Sequence, residues 1–219
     1  MKNRMCQLVV TGVLCFTPFI EIQAKSPHVI TDTEGSELTQ KALFYYNSPL
    51  SEGHETAFEY ATEAVKTNPN DMVSHRLLGN MYYHGKGVKS DHQEALYHYL
   101  QAADSDAVSA YMAGRMYLNG DGADVDIEAG AALVEQAANM GEPLAQYELA
   151  KLSLDQAESE KNSQMKKNLE KSALYYSKPC AEKKNTDCMK VLARIFENGW
   201  ADMPVSKDAA KQLYEMAEK

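Results

Sequence analysis

The chain has 219 residues, of which 44% are hydrophobic and 24% are charged, and its formal net charge is -9. This composition is typical of an ordinary globular protein and argues against a disordered one. The excess of acidic residues also argues against a nucleic-acid partner, because a phosphate backbone attracts basic surfaces.

The N-terminus has the layout of a secretory signal peptide over residues 1–24. Lys2 and Arg4 precede an apolar stretch at residues 8–20, and Ala24 is a small residue before a possible cleavage site. The apolar stretch is too short for a comfortable membrane span. We therefore expect a periplasmic or secreted protein with no stable membrane span after cleavage, and an uncleaved anchor is the alternative.

A first helix pair is predicted over residues 36–70, after a flexible leader at residues 25–35. Apolar side chains recur at helical spacing in residues 37–47 and 53–67. A polar turn at residues 68–71 can end this pair and cap the next helix. The pair resembles a tetratricopeptide unit.

The next two segments, residues 71–105 and 106–141, are copies of one pattern with a period of 35 residues. Four residue pairs differ by this number, namely Gly79 and Gly114, Tyr82 and Tyr117, Gly85 and Gly120, and Asp91 and Asp126. A fixed period of this size indicates stacked two-helix repeats, in which each hairpin needs its neighbours to complete a core.

Two more divergent repeats are predicted at residues 142–186 and 187–219. In the first of them a polar stretch at residues 155–167 takes the place of the glycine loop, and the spacing between repeats widens. The last repeat has Gly199 in a longer loop before its second helix. Together with the earlier pairs, the sequence predicts an all-α fold of about five helix pairs.

Two cysteines, Cys180 and Cys188, would be the only thiols left after signal cleavage in an oxidising compartment. They lie where one helix is expected to end and the next to begin, so a disulfide would join adjacent hairpins. Loop-closure entropy makes such a bond worth about 2 to 3 kcal/mol. The alternatives are redox catalysis, which normally uses C-x-x-C spacing, and metal binding, for which few ligands lie nearby.

With these motifs in view, the chain resembles the Sel1-like repeat family. The family pattern L-G-x-x-Y-x-x-G-x-G-V-x-x-D-x-x-x-A, followed by paired small residues, is met by Leu78, Gly79, Tyr82, Gly85, Gly87, Val88, Asp91, Ala95, Ala102 and Ala103. Residues 175–180 followed by Cys188 are also similar to the secreted, cysteine-rich Hcp branch of that family. The resemblance implies a right-handed α-solenoid of stacked antiparallel helix pairs with a concave face.

The same resemblance implies an exported scaffold that binds a protein or peptide partner in cell-envelope or host-contact processes. We expect no catalytic chemistry, cofactor or metal, because the acidic loop at residues 119–128 departs from EF-hand spacing and no zinc-ligand spacing occurs. The alternative is a β-lactam-binding protein or weak β-lactamase of Hcp type. Ser163 and Lys166 fit S-x-x-K, but the supporting S-D-N and K-T-G elements are absent. A third alternative is an envelope component that associates with itself.

The candidate partner-binding residues lie mainly on the first helices of the repeats. Asn80, Tyr83, Arg115 and Leu118 fall between the core positions of the motif, so we expect them to line the groove. Trp200 follows Gly199 in the longer loop, where an exposed indole can anchor a partner. Packing of this indole against the last helix is the alternative.

Overall fold

The computed structural model describes residues 36–218, which form ten α-helices. The helices are α1 (Glu37–Tyr46), α2 (Ser51–Thr67), α3 (Met72–His84), α4 (His92–Ala102), α5 (Ala107–Asn119), α6 (Ile127–Asn139), α7 (Pro143–Ser159), α8 (Ser163–Glu182), α9 (Thr186–Asn198) and α10 (Lys207–Ala217). No strand occurs within residues 36–218, and the prediction of an all-α fold of five helix pairs is confirmed. The predicted signal peptide and leader lie outside the described residues.

Helix boundaries follow the capping residues of the repeat. Asp71 begins α3 by accepting a hydrogen bond from the backbone N of Ser74 at 3.1 Å. Asp126 begins α6 in the same way, accepting from the backbone N of Ala129 at 2.9 Å. A carboxylate here satisfies an amide that has no partner within the helix. The predicted capping roles of the residue 68–71 turn and of Asp126 are thus confirmed.

The helices group into two compact units, with the boundary after Ala137. In the first unit α1 packs on α2, α3 packs on α4, and α2 and α5 lie against α3 and α4 respectively. In the second unit α7 packs on α8, α9 packs on α10, and α8 also contacts α9. Helices α2, α3, α8 and α9 therefore each contact their hairpin partner and a helix of the adjacent pair, as a stacked repeat requires.

Small residues let the paired helices approach closely in the first unit. Tyr99 of α4 is fully buried, and its ring lies against Gly79 of α3. A Cβ atom at Gly79 would stand 2.8 Å from the Tyr99 ring, which is closer than packing allows. The buried ring of Tyr99 therefore explains why the motif has a glycine at position 79.

The polar stretch at residues 155–167 differs from the expected replacement loop. It is helical except at residues 160–162, because α7 extends to Ser159 and α8 begins at Ser163. Asn162 caps α8 by accepting from the backbone N of Gln164 and of Met165. The wider spacing of this repeat thus comes from two long helices joined by a short turn.

The disulfide between Cys180 and Cys188 is present and joins α8 to α9. The two Cα atoms are 5.8 Å apart, and both side chains are fully buried. The predicted linkage between adjacent hairpins is confirmed. Over the described range 36–218, no helix is both long enough and apolar enough to cross a membrane.

Candidate functional site

The loop after α3 packs against α2 of the preceding helix pair, and Gly87 makes the contact. Gly87 has a φ of +71°, and a Cβ atom there would stand 2.1 Å from the carbonyl oxygen of His54 in α2. The loop also places the Nζ atom of Lys86 at 4.6 Å from the centre of the Tyr46 ring, in a cation–π contact. We name Tyr46, His54, Lys86 and Gly87 the first joint.

The loop after α5 repeats this arrangement one unit later. Gly122 has a φ of +80°, and a Cβ atom there would stand 2.2 Å from the carbonyl oxygen of His92 in α4. The ring of Tyr83 stacks on His92 with the ring centres 4.9 Å apart. Asp121 accepts a hydrogen bond from Nδ1 of His92. Tyr83, His92, Asp121 and Gly122 form the second joint, in which Asp121 replaces Lys86.

A groove adjoins the second joint between the end of α3 and one face of α5. Its volume is about 230 Å³, and it is lined by Tyr83, Tyr111, Met112, Arg115, Met116, Asn119 and Asp121. We refer to it as the α3–α5 groove. The five α5 residues fall at i, i+1, i+4, i+5 and i+8, which places them on one stripe of the helix.

The groove combines apolar and polar groups. Arg115 Nη1 donates a hydrogen bond to the hydroxyl of Tyr111 at 3.3 Å, one helical turn away. Met112, which is half-buried, supplies flexible apolar surface that adapts to different side chains, whereas Met116 is buried in the core beneath the groove. These groups can hold an extended chain by contact with its side chains and by hydrogen bonds to its backbone.

The structure brings together two of the predicted binding residues, Tyr83 and Arg115. Asn80 instead accepts a hydrogen bond from the Tyr99 hydroxyl at 2.7 Å, and burial raises the pKa of Tyr99, so that this hydroxyl keeps its proton. Leu118 packs towards α6, since a Cβ atom at Gly130 would stand 2.7 Å from its Cγ. Asn80 and Leu118 are therefore not among the groove-lining residues.

Trp200 belongs to the second unit and is half-buried. Its backbone N donates to the carbonyl of Ile195 at 3.1 Å, as part of the turn that ends α9. The indole is thus less exposed than a free partner anchor would be. Its role in binding stays a prediction.

Sequence reasoning missed five lining residues, of which four lie on α5. Tyr111, Met112, Met116 and Asn119 share a helical stripe with Arg115, and this i, i+4, i+8 pattern was the available signal. Asp121 was readable only from the loop alignment, as the position of Lys86 in the next repeat. The positions between the motif residues include Arg115 but do not mark the rest of the stripe.

A buried histidine pair lies between α3 and α4. His75 and His98 are 5% and 8% exposed, and their Nδ1 atoms are 2.9 Å apart. His75 Nε2 lies 3.0 Å from the carbonyl oxygen of Pro69 and donates to it, so its Nδ1 accepts from His98. Burial, and then the charge of His75, lower the pKa of His98 from 6.5 to about 4. His98 is therefore neutral at ordinary pH.

Other polar clusters offer less to a partner. A cavity of about 340 Å³ between α9 and α10 is lined mostly by lysine and glutamate side chains, namely Glu197, Lys207, Lys211, Glu215 and Glu218, with Ala210 and Tyr214. Ser163, the candidate nucleophile of the β-lactam alternative, is the exposed first residue of α8. Within residues 36–218, no three His, Cys, Asp or Glu side chains are grouped as a metal site would require.

Comparison with protein families gives a match over most of the described chain. The model described as Sel1 repeat matches residues 73–106, 107–142, 143–181 and 186–219. The α1–α2 pair lies outside these matches. The contact of Gly87 with α2 is nevertheless equivalent to the contact of Gly122 with α4. No curated protein matches the sequence.

Two solved structures have the same fold. The Sel1 repeat protein from Oxalobacter formigenes is 24% identical with a TM-score of 0.66, and the match covers 83% of this chain and 71% of that one. The protein c5321 of uropathogenic Escherichia coli, described as a protective antigen with an SLR fold, is 23% identical with a TM-score of 0.62. That match covers 83% of this chain, which spans only 37% of the length of c5321.

Proposed function

Because the chain belongs to the Sel1 repeat family, whose repeats generally act as protein-interaction scaffolds, we propose that it is an exported scaffold. It binds an extended peptide or a segment of a partner protein in the α3–α5 groove and acts in the cell envelope or in contact with a host. The observation that carries this proposal is the groove itself, where aromatic rings, methionines, a guanidinium and a carboxylate meet in one cavity.

The size and lining of the groove favour a peptide over a small molecule. Its volume of about 230 Å³ is below the several hundred cubic ångströms that are typical of small-molecule sites. It can hold one or two side chains of a segment that continues along the surface. Tyrosine and methionine side chains provide the contact area, since both are common where a protein surface accepts varied partners.

Export is supported by two independent features of the chain. The disulfide between Cys180 and Cys188 is of a kind that persists in oxidising compartments. The charge and hydropathy pattern of residues 1–24 is that of a signal peptide. Both features favour a periplasmic or secreted location for the scaffold.

Selection from a display library of random peptides tests this proposal. The full chain is immobilised, and the enriched peptides are resynthesised with a fluorescent label for binding by anisotropy. Replacing Tyr83→Ala should weaken binding by about tenfold or more, as for a central interface aromatic. The matched control is Tyr97→Ala, which removes an exposed tyrosine of α4 outside the groove and should leave binding within about twofold.

Two outcomes would overturn the proposal. One is a library that yields no specific binder, and the other is a set of binders that lose equal affinity in the two tyrosine variants. Circular dichroism on both variants establishes that they are folded. Labelling with a fluorescent penicillin, carried out on the same protein and on Ser163→Ala, tests the β-lactam alternative.

A further inference from the structure

The net charge of the chain is concentrated in one of its two units. Residues 36–137 contain six lysines and arginines and fifteen aspartates and glutamates, a net charge of -9. Residues 138–219 contain thirteen of each kind and have no net charge. The α3–α5 groove belongs entirely to the acidic unit. The field around it attracts positive partners and repels negative ones.

The two joints show what kind of group a tyrosine in this position accepts. In the first joint the chain supplies its own cation, because Lys86 Nζ lies over the Tyr46 ring. In the second joint the equivalent loop position is Asp121, and Tyr83 faces the groove beside this carboxylate. An aromatic ring next to a carboxylate is a favourable site for an ammonium or guanidinium group.

The two charged side chains that line the groove, Arg115 and Asp121, each have a hydrogen-bond partner within the chain. Arg115 is the single cation among the lining residues, and it donates to the Tyr111 hydroxyl. Asp121 is held by His92 on the side of the second joint. The loop continues with further exposed carboxylates at Asp124 and Asp126. The Asp121 side of the groove is therefore the acidic side.

We propose that the segment bound in the α3–α5 groove is basic, and that one of its lysine or arginine side chains contacts Tyr83 and Asp121. This inference rests on the proposed function, because it specifies the chemistry of the partner at the same site. The apolar stem of the basic side chain packs on Met112, as long cationic side chains do when their charged end stays in a polar environment.

The display selection described above provides the first test, because the composition of the enriched peptides is read directly. Lysine and arginine should be enriched over the starting library. Affinity of a labelled binder should fall by about tenfold or more as NaCl is raised from about 50 to about 500 mM, since salt screens exposed charges. Enrichment of acidic or neutral peptides that still depend on Tyr83 would overturn this inference and leave the proposed function standing.

Charge-neutralising variants provide the second test. Asp121→Asn should weaken a basic peptide about tenfold, and Asp124→Asn, in the same loop, about two- to fivefold. The matched control is Glu63→Gln on α2, which removes the same charge from the same unit at an exposed residue that does not line the groove and should change affinity by less than about twofold. If Asp121→Asn loosens its contact with His92 and unfolds, Asp124→Asn still decides the question.

Equal effects of Asp124→Asn and Glu63→Gln would overturn the inference, because they would assign the attraction to the overall charge and not to the groove. A library without any binder would overturn both proposals. Association of the protein with itself in place of a peptide, seen by light scattering, would also count against a basic segment as the occupant.

Discussion

The two compact units hold their loops in different ways. In the first unit the loops after α3 and α5 lie directly on the backbone of the preceding pair, where only a glycine fits. In the second unit the loop after α9 has Ala201 at the equivalent place, with a φ of +57°. The backbone N of Ala201 donates to the buried Glu170 carboxylate at 3.1 Å. A hydrogen bond to a side chain therefore holds the loop after α9, whereas close packing on the backbone holds the loops after α3 and α5.

The units also differ in the groups that can respond to their surroundings. Every histidine among residues 36–218 lies in the first unit, and the disulfide lies in the second. The single tryptophan of the chain, Trp200, also belongs to the second unit, so its fluorescence reports on that unit. Acid and reductant should therefore act on different halves of the molecule.

The largest expected effect comes from Gly122→Ala. A Cβ atom would stand 2.2 Å from the carbonyl oxygen of His92, and backbone cannot yield as a flexible side chain can. We expect a loss of about 3 kcal/mol or more in the free energy of unfolding, measured by urea denaturation with circular dichroism. Gly120→Ala is the control, because its φ is also positive but the only close contact of its Cβ atom, at 2.7 Å, is with the Val125 side chain. It should cost about 1 to 2 kcal/mol, and equal losses would contradict the account.

Removal of the disulfide should affect the second unit. The Cys180→Ala/Cys188→Ala variant, or the wild type with reductant, should lose about 2 to 3 kcal/mol, because the closed loop is short. Urea unfolding followed by Trp200 fluorescence measures this loss. Reductant should have no further effect on the double variant. A transition that does not move on reduction would show that the linkage contributes little to this unit.

Acid should destabilise the first unit through His98. Burial holds the pKa of folded His98 at about 4, whereas the imidazole of the unfolded chain titrates near 6.5. The unfolded state therefore binds more protons between these values, and the stability present above pH 6.5 falls as the pH falls towards 4. At pH 5 the loss is roughly 2 kcal/mol.

Urea denaturation between pH 7.5 and pH 4.5 measures this dependence. His98→Gln should flatten it, whereas the control His84→Gln, at an exposed histidine of α3, should leave it in place. An equal acid loss in both variants would assign the effect to other groups. Trp200 fluorescence should show a weaker pH dependence, because its unit contains no histidine.

The smallest effects concern the loop after α9. Glu170→Ala leaves the buried N–H of Ala201 without its acceptor and should cost about 1 to 2 kcal/mol, seen by Trp200 fluorescence. Lys167→Ala and Lys171→Ala remove exposed ion pairs to Asp202 and should each cost about 0.5 kcal/mol or less. A larger loss in the lysine variants would show that surface charge and not the buried carboxylate fixes this loop.

Much of the fold was predictable because the repeat fixes it. The 35-residue period, the capping aspartates and the glycine after each first helix are short-range signals, and they gave the helix pairs of the first unit. The expected loop at residues 155–167 was wrong for most of its length, because a polar stretch continues a helix as readily as it ends one. The disulfide was predictable from the number and place of the two cysteines.

The candidate groove was only partly predictable, because it is formed by helices of adjacent repeats. Tyr83 and Arg115 lie in it, whereas Asn80 and Leu118, each three positions from one of these two, pack on α4 and α6. Two side chains three residues apart on a helix point in directions that differ by about 60°. The motif alone does not decide which of two neighbouring positions faces the groove.

Hydrogen–deuterium exchange with and without a selected basic peptide tests the central claim most directly. We predict slower exchange at the end of α3, along α5 and in the loop that carries Asp121, with no change in residues 138–218. Slower exchange confined to the second unit, or no change in either unit on binding, would contradict the assignment of the partner to the α3–α5 groove.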